Sequence, residues 1–290
     1  MQSALDSLCA VDLDGATQIF SEDCICELSS RDTKTFVGRK GQKTLWSRLQ
    51  MAFPDAHIQT KQVLESSGFW VLEAVISGTH QGTFLGQAPT QRLVGCQIAV
   101  FCWIEDQKIK RAFVVGNPDT VLRQMTMDPA KAPAIPEVPE HPVLYSTPGA
   151  PDNAKAVKDF FKAFEKGDWE RMGQLVSPKI VVWSFGDGQQ YAGFKRLQST
   201  LSKEQEALEG HVEVLQTMAA GPYVAILVEV KGKLLKNLGP LRAGKSFFEK
   251  GVDVFRFERG KIIEWRNYRN QADLIAQLTE PAESTIIKPE

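Results

Sequence analysis

Two stretches 153 residues apart read alike without a gap: AVFCWIEDQKIKRAFVVGNPDTVLRQM (Ala99 to Met125) and VDVFRFERGKIIEWRNYRNQADLIAQL (Val252 to Leu278). A second pair repeats ahead of them, DLDGATQIFSEDCICEL (Asp12 to Leu28) and GDWERMGQLVSPKIVVW (Gly167 to Trp183). A period this long means duplicated domains, because solenoid repeats are far shorter. Between the copies, DPAKAPAIPEVPEHPVLYSTPGAP (Asp128 to Pro151) holds seven of the chain's fifteen prolines. Proline fixes φ and removes a donor, so this segment is neither a helix interior nor a central strand and reads as an extended linker along a domain surface. The expected organisation is a first domain over 1–127, a linker over 128–151, a second domain over 152–280 and a tail over 281–290.

Each copy follows one pattern. In the second, Ala156, Phe160, Phe161 and Phe164 recur at helical spacing and Gly167 ends the helix. The strand KIVVWSF and a helix from Phe194 to Leu208 follow, then the strands HVEVLQTMA, YVAILVEVKGK and FFEKGVDVFRFE. A turn at Arg259-Gly260 leads into KIIEWRNYR, and ADLIAQL closes the unit as a short helix. Helices first and antiparallel strands after make an α+β fold, a curved sheet wrapped over helices with an apolar pocket on its concave face. Ile263, Val114 and Val228 are expected on outer faces that a partner sheet covers, so the two domains are expected to pair within the chain.

A net charge of −1 gives no basic footprint for nucleic acid. No apolar run approaches the ~20 residues that span a bilayer. The opening MQSALDSLCAVDLDG lacks a charged region followed by an apolar one, so a cytoplasmic location is expected. The five cysteines (Cys9, Cys24, Cys26, Cys96, Cys102) are odd in number and lack CxxC spacing, which reads as buried reduced thiols. With four scattered histidines and no ligand spacing, no metal is expected. The glycines at 78–86 and 239–244 lack a following helix to receive phosphate and read as turns.

AFPDAHI (Ala52 to Ile58), SGTHQGTFLGQAPT (Ser77 to Thr90) and FCWIEDQKI in the first copy, with EKGDWERM and GVDVFRFERGKIIEW in the second, resemble the SnoaL-like, or polyketide-cyclase-like, branch of the NTF2-like superfamily. The resemblance covers nearly all of both halves. It implies cone-shaped domains that often pair, small hydrophobic substrates, and cofactor-independent cyclisation, double-bond isomerisation or epoxide opening; many relatives are non-catalytic. Many cyclases of this family, and the similar limonene epoxide hydrolases, carry aspartates on the last strand. Here Asn267 and Asn270 stand at those positions, and the first copy has Val114 and Asn117. An amide orients a carbonyl or water but exchanges no proton near neutral pH.

Asp253, among apolar neighbours in VDVFRF, resembles the inward aspartate of steroid isomerases in the superfamily; as a cross-strand residue it also suits an ion pair with Arg256 or Arg266. In FWVLEAVI, Glu73 shares a face with Val71 and Val75, either inside the pocket or on the outer face. His80, in GTHQG, is a candidate base or a structural histidine, and Asp55 reads as a turn residue. The candidate acid-base set is Asp253, Glu73 and His80. The candidate substrate contacts are Asn267, Asn270, Asn117, Trp46, Phe84 and Tyr268, while Trp46, Phe53, Phe84 and Trp103 read most simply as core residues, some of which could line a cavity. The expected function is acid-base chemistry on a small hydrophobic intermediate, with a non-catalytic binding module as the alternative.

Overall fold

The computed structural model describes residues 19–29, 35–186 and 188–279; Cys9, the helix expected to open the first copy and the 281–290 tail lie outside them. The first unit runs β1 (Phe20–Leu28), β2 (Thr35–Val37), α1 (Gly38–Ala52), β3 (His57–Ser66), β4 (Phe69–Thr79), β5 (Leu93–Glu105), β6 (Lys108–Gly116) and α2 (Pro118–Thr126). A short strand, β7 (Val143–Tyr145), lies in the proline-rich segment. The second unit follows with α3 (Pro151–Glu165), α4 (Trp169–Leu175), β8 (Val176–Ser184), β9 (Gln189–Ala192) and α5 (Phe194–Ala207). Then come β10 (Leu208–Ala220), β11 (Tyr223–Leu234), β12 (Ser246–Glu258), β13 (Lys261–Tyr268) and α6 (Gln271–Thr279).

Two curved mixed sheets result, in the orders β2-β1-β6-β5-β4-β3-β7 and β10-β11-β12-β13-β8-β9. The pairs β1/β6 and β8/β13 are parallel, and these are equivalent places in the two repeats. Bulges at Thr60/Gln62, Val214/Gln216 and Arg256/Phe257 bend the long strands around the helices. The repeat extends to the turns. Asp106-Gln107 and Arg259-Gly260 each close a two-residue hairpin with φ positive at both positions, the conformation that matches strand twist.

Alternation divides the strands between two faces. In β5, Ile98, Val100 and Cys102 point into the first cone, whereas Ala99 and Phe101 point out. In β12, Asp253, Phe255 and Phe257 point into the second cone, whereas Val252 and Val254 point out. The outward residues are not left in water. Phe101, Phe113 and Val115 of the first sheet form one buried cluster with Leu227, Val254 and Tyr268 of the second. Val114 and Val228, expected on outer faces, face the cones instead: Val114 lines the first interior and Val228 packs with Phe255 in the second. Period two says which residues share a face but not which face is covered.

The proline-rich segment follows the first sheet and then touches the second. Its β7 adds to the β3 edge, where a missing N–H is tolerated. Thr147 O accepts from Gly221 N at 2.8 Å, and the Tyr145 and Tyr223 rings lie 4.7 Å apart. Gly149 passes so close to Ala219 that a side-chain Cβ there would sit 2.6 Å from the alanine Cβ.

Candidate functional site

The first cone encloses a cavity of about 200 Å³. One stripe of α1, Gln42, Leu45, Trp46 and Leu49, meets the inward residues of the sheet across it. Leu72 and Ala74 of β4, Val100 of β5 and Val114 of β6 face that stripe. Among the described lining residues, none has a carboxyl, imidazole, ammonium or phenol group. The Gln42 amide is committed to Phe36 O at 3.4 Å and to the Cys24 thiol at 3.6 Å. Burial pushes the Cys26 thiol up to about 12, so at neutral pH it is a small apolar group and no nucleophile.

The second cone holds a packed aromatic cluster. Phe160 of α3 stands edge-on to Trp265 at 5.4 Å, and Phe255 stacks on Trp265 at 5.7 Å and 11°. Asp253 lies at the margin of this cluster, fully buried, accepting from the Trp265 indole N–H at 3.1 Å and from Arg269 Nη2 at 2.9 Å. Its ion partner is therefore Arg269, not Arg256 or Arg266 as expected: Arg256 is exposed and Arg266 is bound to Glu73 across the outer face. Arg269 Nε also lies 3.6 Å from Glu249, four residues back on the same face of β12. A Cβ at the intervening Gly251 would run into the Arg269 guanidinium, so glycine is required where the arginine crosses the strand. Burial pushes the Glu249 carboxyl up to about 7, although Arg269 holds it down, and Glu249 Oε1 has no hydrogen-bond partner among the described residues. The sequence reading missed both Glu249 and Arg269. The available signal was Glu249, Gly251 and Asp253 at alternate positions of one strand.

Glu73 faces outward from β4 and is buried between the sheets. It accepts hydrogen bonds from the Tyr268 hydroxyl and the Gln62 amide, and Arg266 Nη2 lies 3.0 Å away. Gln97 donates to the Tyr268 hydroxyl at 2.7 Å, and the Arg266 guanidinium lies 5.3 Å over the Tyr223 ring. Burial pushes the Glu73 carboxyl up, against Arg266 and the Tyr268 hydrogen bond, which hold it down. Glu73 and Tyr268, named as separate candidates, thus meet each other and not the first cavity.

The asparagines are also joined across the repeat. Asn117 caps α2 by accepting from Asp119 N at 3.3 Å, and its amide donates to Gly186 O of the second unit. Asn270, at the same place in the second repeat, accepts from Asp273 N at 3.2 Å and donates to Ser29 O of the first unit at 2.5 Å. Replacing either by alanine is expected to cost ~1–2 kcal/mol, the loss of a cap plus a cross-unit bond, read from urea unfolding; unchanged midpoints would contradict both roles.

The remaining candidates are dispersed. Asn267 is half-buried, directly across from Asp253 in the β12/β13 register. Trp46 lines the first cavity. Phe84 packs edge-on against Phe53 at 5.0 Å. His80 is buried in the loop after β4, where Nδ1 accepts from Thr90 N at 3.2 Å and its ring lies 5.5 Å from Phe53, outside the residues lining the cavity. Asp55 accepts from Thr79 N at 2.6 Å and closes a turn.

The family model for the SnoaL-like polyketide cyclases matches residues 1–125, and that for the SnoaL-like domain matches 157–265. The chain is a tandem SnoaL-like protein of the NTF2-like superfamily. Three solved relatives each align with under half of the tandem chain. A candidate polyketide cyclase from Xanthomonas campestris pv. campestris is 21% identical over 44% of this chain and 96% of its own, at a TM-score of 0.41. An LEH-like epoxide hydrolase from M. tuberculosis is 23% identical, with 44% and 89% covered and a TM-score of 0.36. An NTF2-like protein from Burkholderia xenovorans LB400 is 22% identical, with 44% and 96% covered and a TM-score of 0.39. No curated protein matches the tandem SnoaL-like chain. No helix among its described residues is long and apolar enough to cross a membrane.

Proposed function

We propose that the first cone binds a small, neutral, apolar molecule without proton transfer there, and that the two units act as one body through their outer faces. The supporting observation is the cavity itself: about 200 Å³, lined by aliphatic and aromatic side chains, with its one amide already hydrogen-bonded. A charged ligand would lose its hydration there and find no charged partner among the described lining residues, whereas an apolar one loses only contact with water. Apolar cavities of ~150 Å³ take up a benzene ring, so the expected ligand has roughly six to ten carbons. The test is calorimetric titration with indane, expected to bind one-to-one with a dissociation constant of about 10 μM to 1 mM. Ala74→Phe, which projects into the cavity, is expected to weaken it at least about tenfold at an unchanged melting temperature. Equal affinity in wild type and variant would overturn the proposal.

Pairing of the units rests on the shared apolar cluster and the cross-unit bonds of Asn117, Asn270 and Glu73. Segments 1–127 and 152–290, produced separately, are expected to associate when mixed; two sharp monomers with no mutual affinity would count against it.

A second reading is favoured by Glu249. A buried carboxyl near pH 7 with a free oxygen beside Arg269 suits proton exchange in an isomerisation, cyclisation or epoxide opening. The aromatic packing of the second cone weighs against it, because Phe160, Phe255 and Trp265 already pack together in that interior.

A further inference from the structure

A larger space lies outside both cones, between the units. It measures about 910 Å³ and is bounded by Lys61 and Gln97 of the first sheet, by Arg123 of α2, and by the proline-rich segment from Lys131 to Pro139. Across from them stand Trp183 and Phe185 at the end of β8, with Glu264 and Arg266 of β13. The Trp183 and Phe185 rings stack near parallel, 6.3 Å apart at 12°, and both are half-buried at the wall of the cleft.

The repeat shows what is unusual here. Trp183 pairs with Arg266 in the β8/β13 register, as Glu27 pairs with Phe113 in the β1/β6 register. Around Glu27 the equivalent position is closed by the protein's own charges: Arg111 lies 2.8 Å away, Lys250 3.6 Å away, and Lys250 sits 5.6 Å over Phe113. At Trp183 the acid is replaced by an indole. Arg266 Nη2 lies 3.0 Å from Glu73 as an ion pair, but neither Nη2 nor the buried Nε has a hydrogen-bond partner among the described residues. Lys61 donates to the Gln97 amide oxygen at 3.3 Å, and burial holds its ammonium below the usual range against the attraction of Glu73, Glu264 and Glu137. Glu137 and Glu264 also line the cleft, opposing Lys61, Arg123 and Lys131.

We propose that this cleft is a second ligand site, separate from the first cone, that takes a planar aromatic carboxylic acid with its ring on Trp183 and Phe185 and its carboxylate toward Lys61 and Arg266 Nε. Stacking suits any flat ring, while the carboxylate supplies the missing acceptor, so the site discriminates an acid from its amide. It does not depend on what the first cone binds.

The probes are benzoate, 2-naphthoate and indole-3-acetate, with 2-naphthamide as the neutral control, titrated calorimetrically into the whole chain. At least one acid is expected to bind one-to-one, and 2-naphthoate at least about tenfold more tightly than its amide. Trp183→Ala is expected to weaken acid binding about tenfold or more, and Lys61→Gln to erase most of the preference for acid over amide. Ala74→Phe, which fills the first cone, should leave acid binding unchanged. If Trp183→Ala does not fold, the acid-to-amide ratio in Lys61→Gln decides. Failure of all three acids to saturate below about 10 mM would overturn the proposal, as would binding abolished by Ala74→Phe or indifferent to Lys61→Gln.

Discussion

Glu73→Ala is expected to destabilise the whole chain by ~3–5 kcal/mol, the cost of leaving a buried guanidinium without its counter-ion. Arg266 is the group abandoned: it comes from the second unit, lies on the Tyr223 ring and has its one carboxylate at 3.0 Å in Glu73. The Tyr268 hydroxyl loses an acceptor in the same change. Removing both charges is a different matter. Glu73→Leu combined with Arg266→Met is expected to recover most of the loss, because paired burial of charge gains little over packed apolar groups. Urea unfolding of the two variants reads both effects, and a Glu73→Ala loss below about 1 kcal/mol would mean that the outer faces separate readily in solution.

The second large effect is in pH dependence. Glu249 has a carboxyl near 7 when folded, against 4.5 as the ordinary value, so the folded chain binds the proton more tightly. Its contribution is complete below pH 4.5 and is lost as pH rises to about 7. Glu249→Gln cannot titrate. Relative to wild type, its unfolding free energy is expected to rise by about 3 kcal/mol between pH 4.5 and 8. Glu73 also titrates upward, but it is present in both chains and cancels in the difference. Parallel pH curves would show that Glu249 is solvated in the folded protein.

The fold was legible because its strongest signals are local and duplicated. The offset of 153 residues, the hairpin residues at 106–107 and 259–260, and the proline-rich segment each constrain the backbone without reference to distant partners. The faces were harder to read. Bulges interrupt the strands, and apolar residues occur on both sides of β6 and β11, so Val114 and Val228 fitted an outer face equally well. At the site, the family resemblance suggested an inward Asp253, but its partner Arg269 lies beyond the end of β13 and reaches back over Gly251. Glu73 could not be interpreted from its own strand, because the groups that satisfy it belong to the other unit. Asn117 and Asn270 carried a readable signal that substrate contact obscured: each stands just before a helix, with an acidic residue two or three places on, as capping residues do.

The most direct test of the first cone as the binding compartment is to locate a bound probe. With selectively methyl-labelled protein and saturating indane, NMR is expected to show intermolecular nuclear Overhauser contacts to methyl groups of Leu72, Ile98 and Val100, which line the cavity. Methyls of Val252 and Val254, buried between the sheets, should show none. Contacts confined to the outer-face residues or to the cleft between the units, with the cavity methyls silent, would contradict the account.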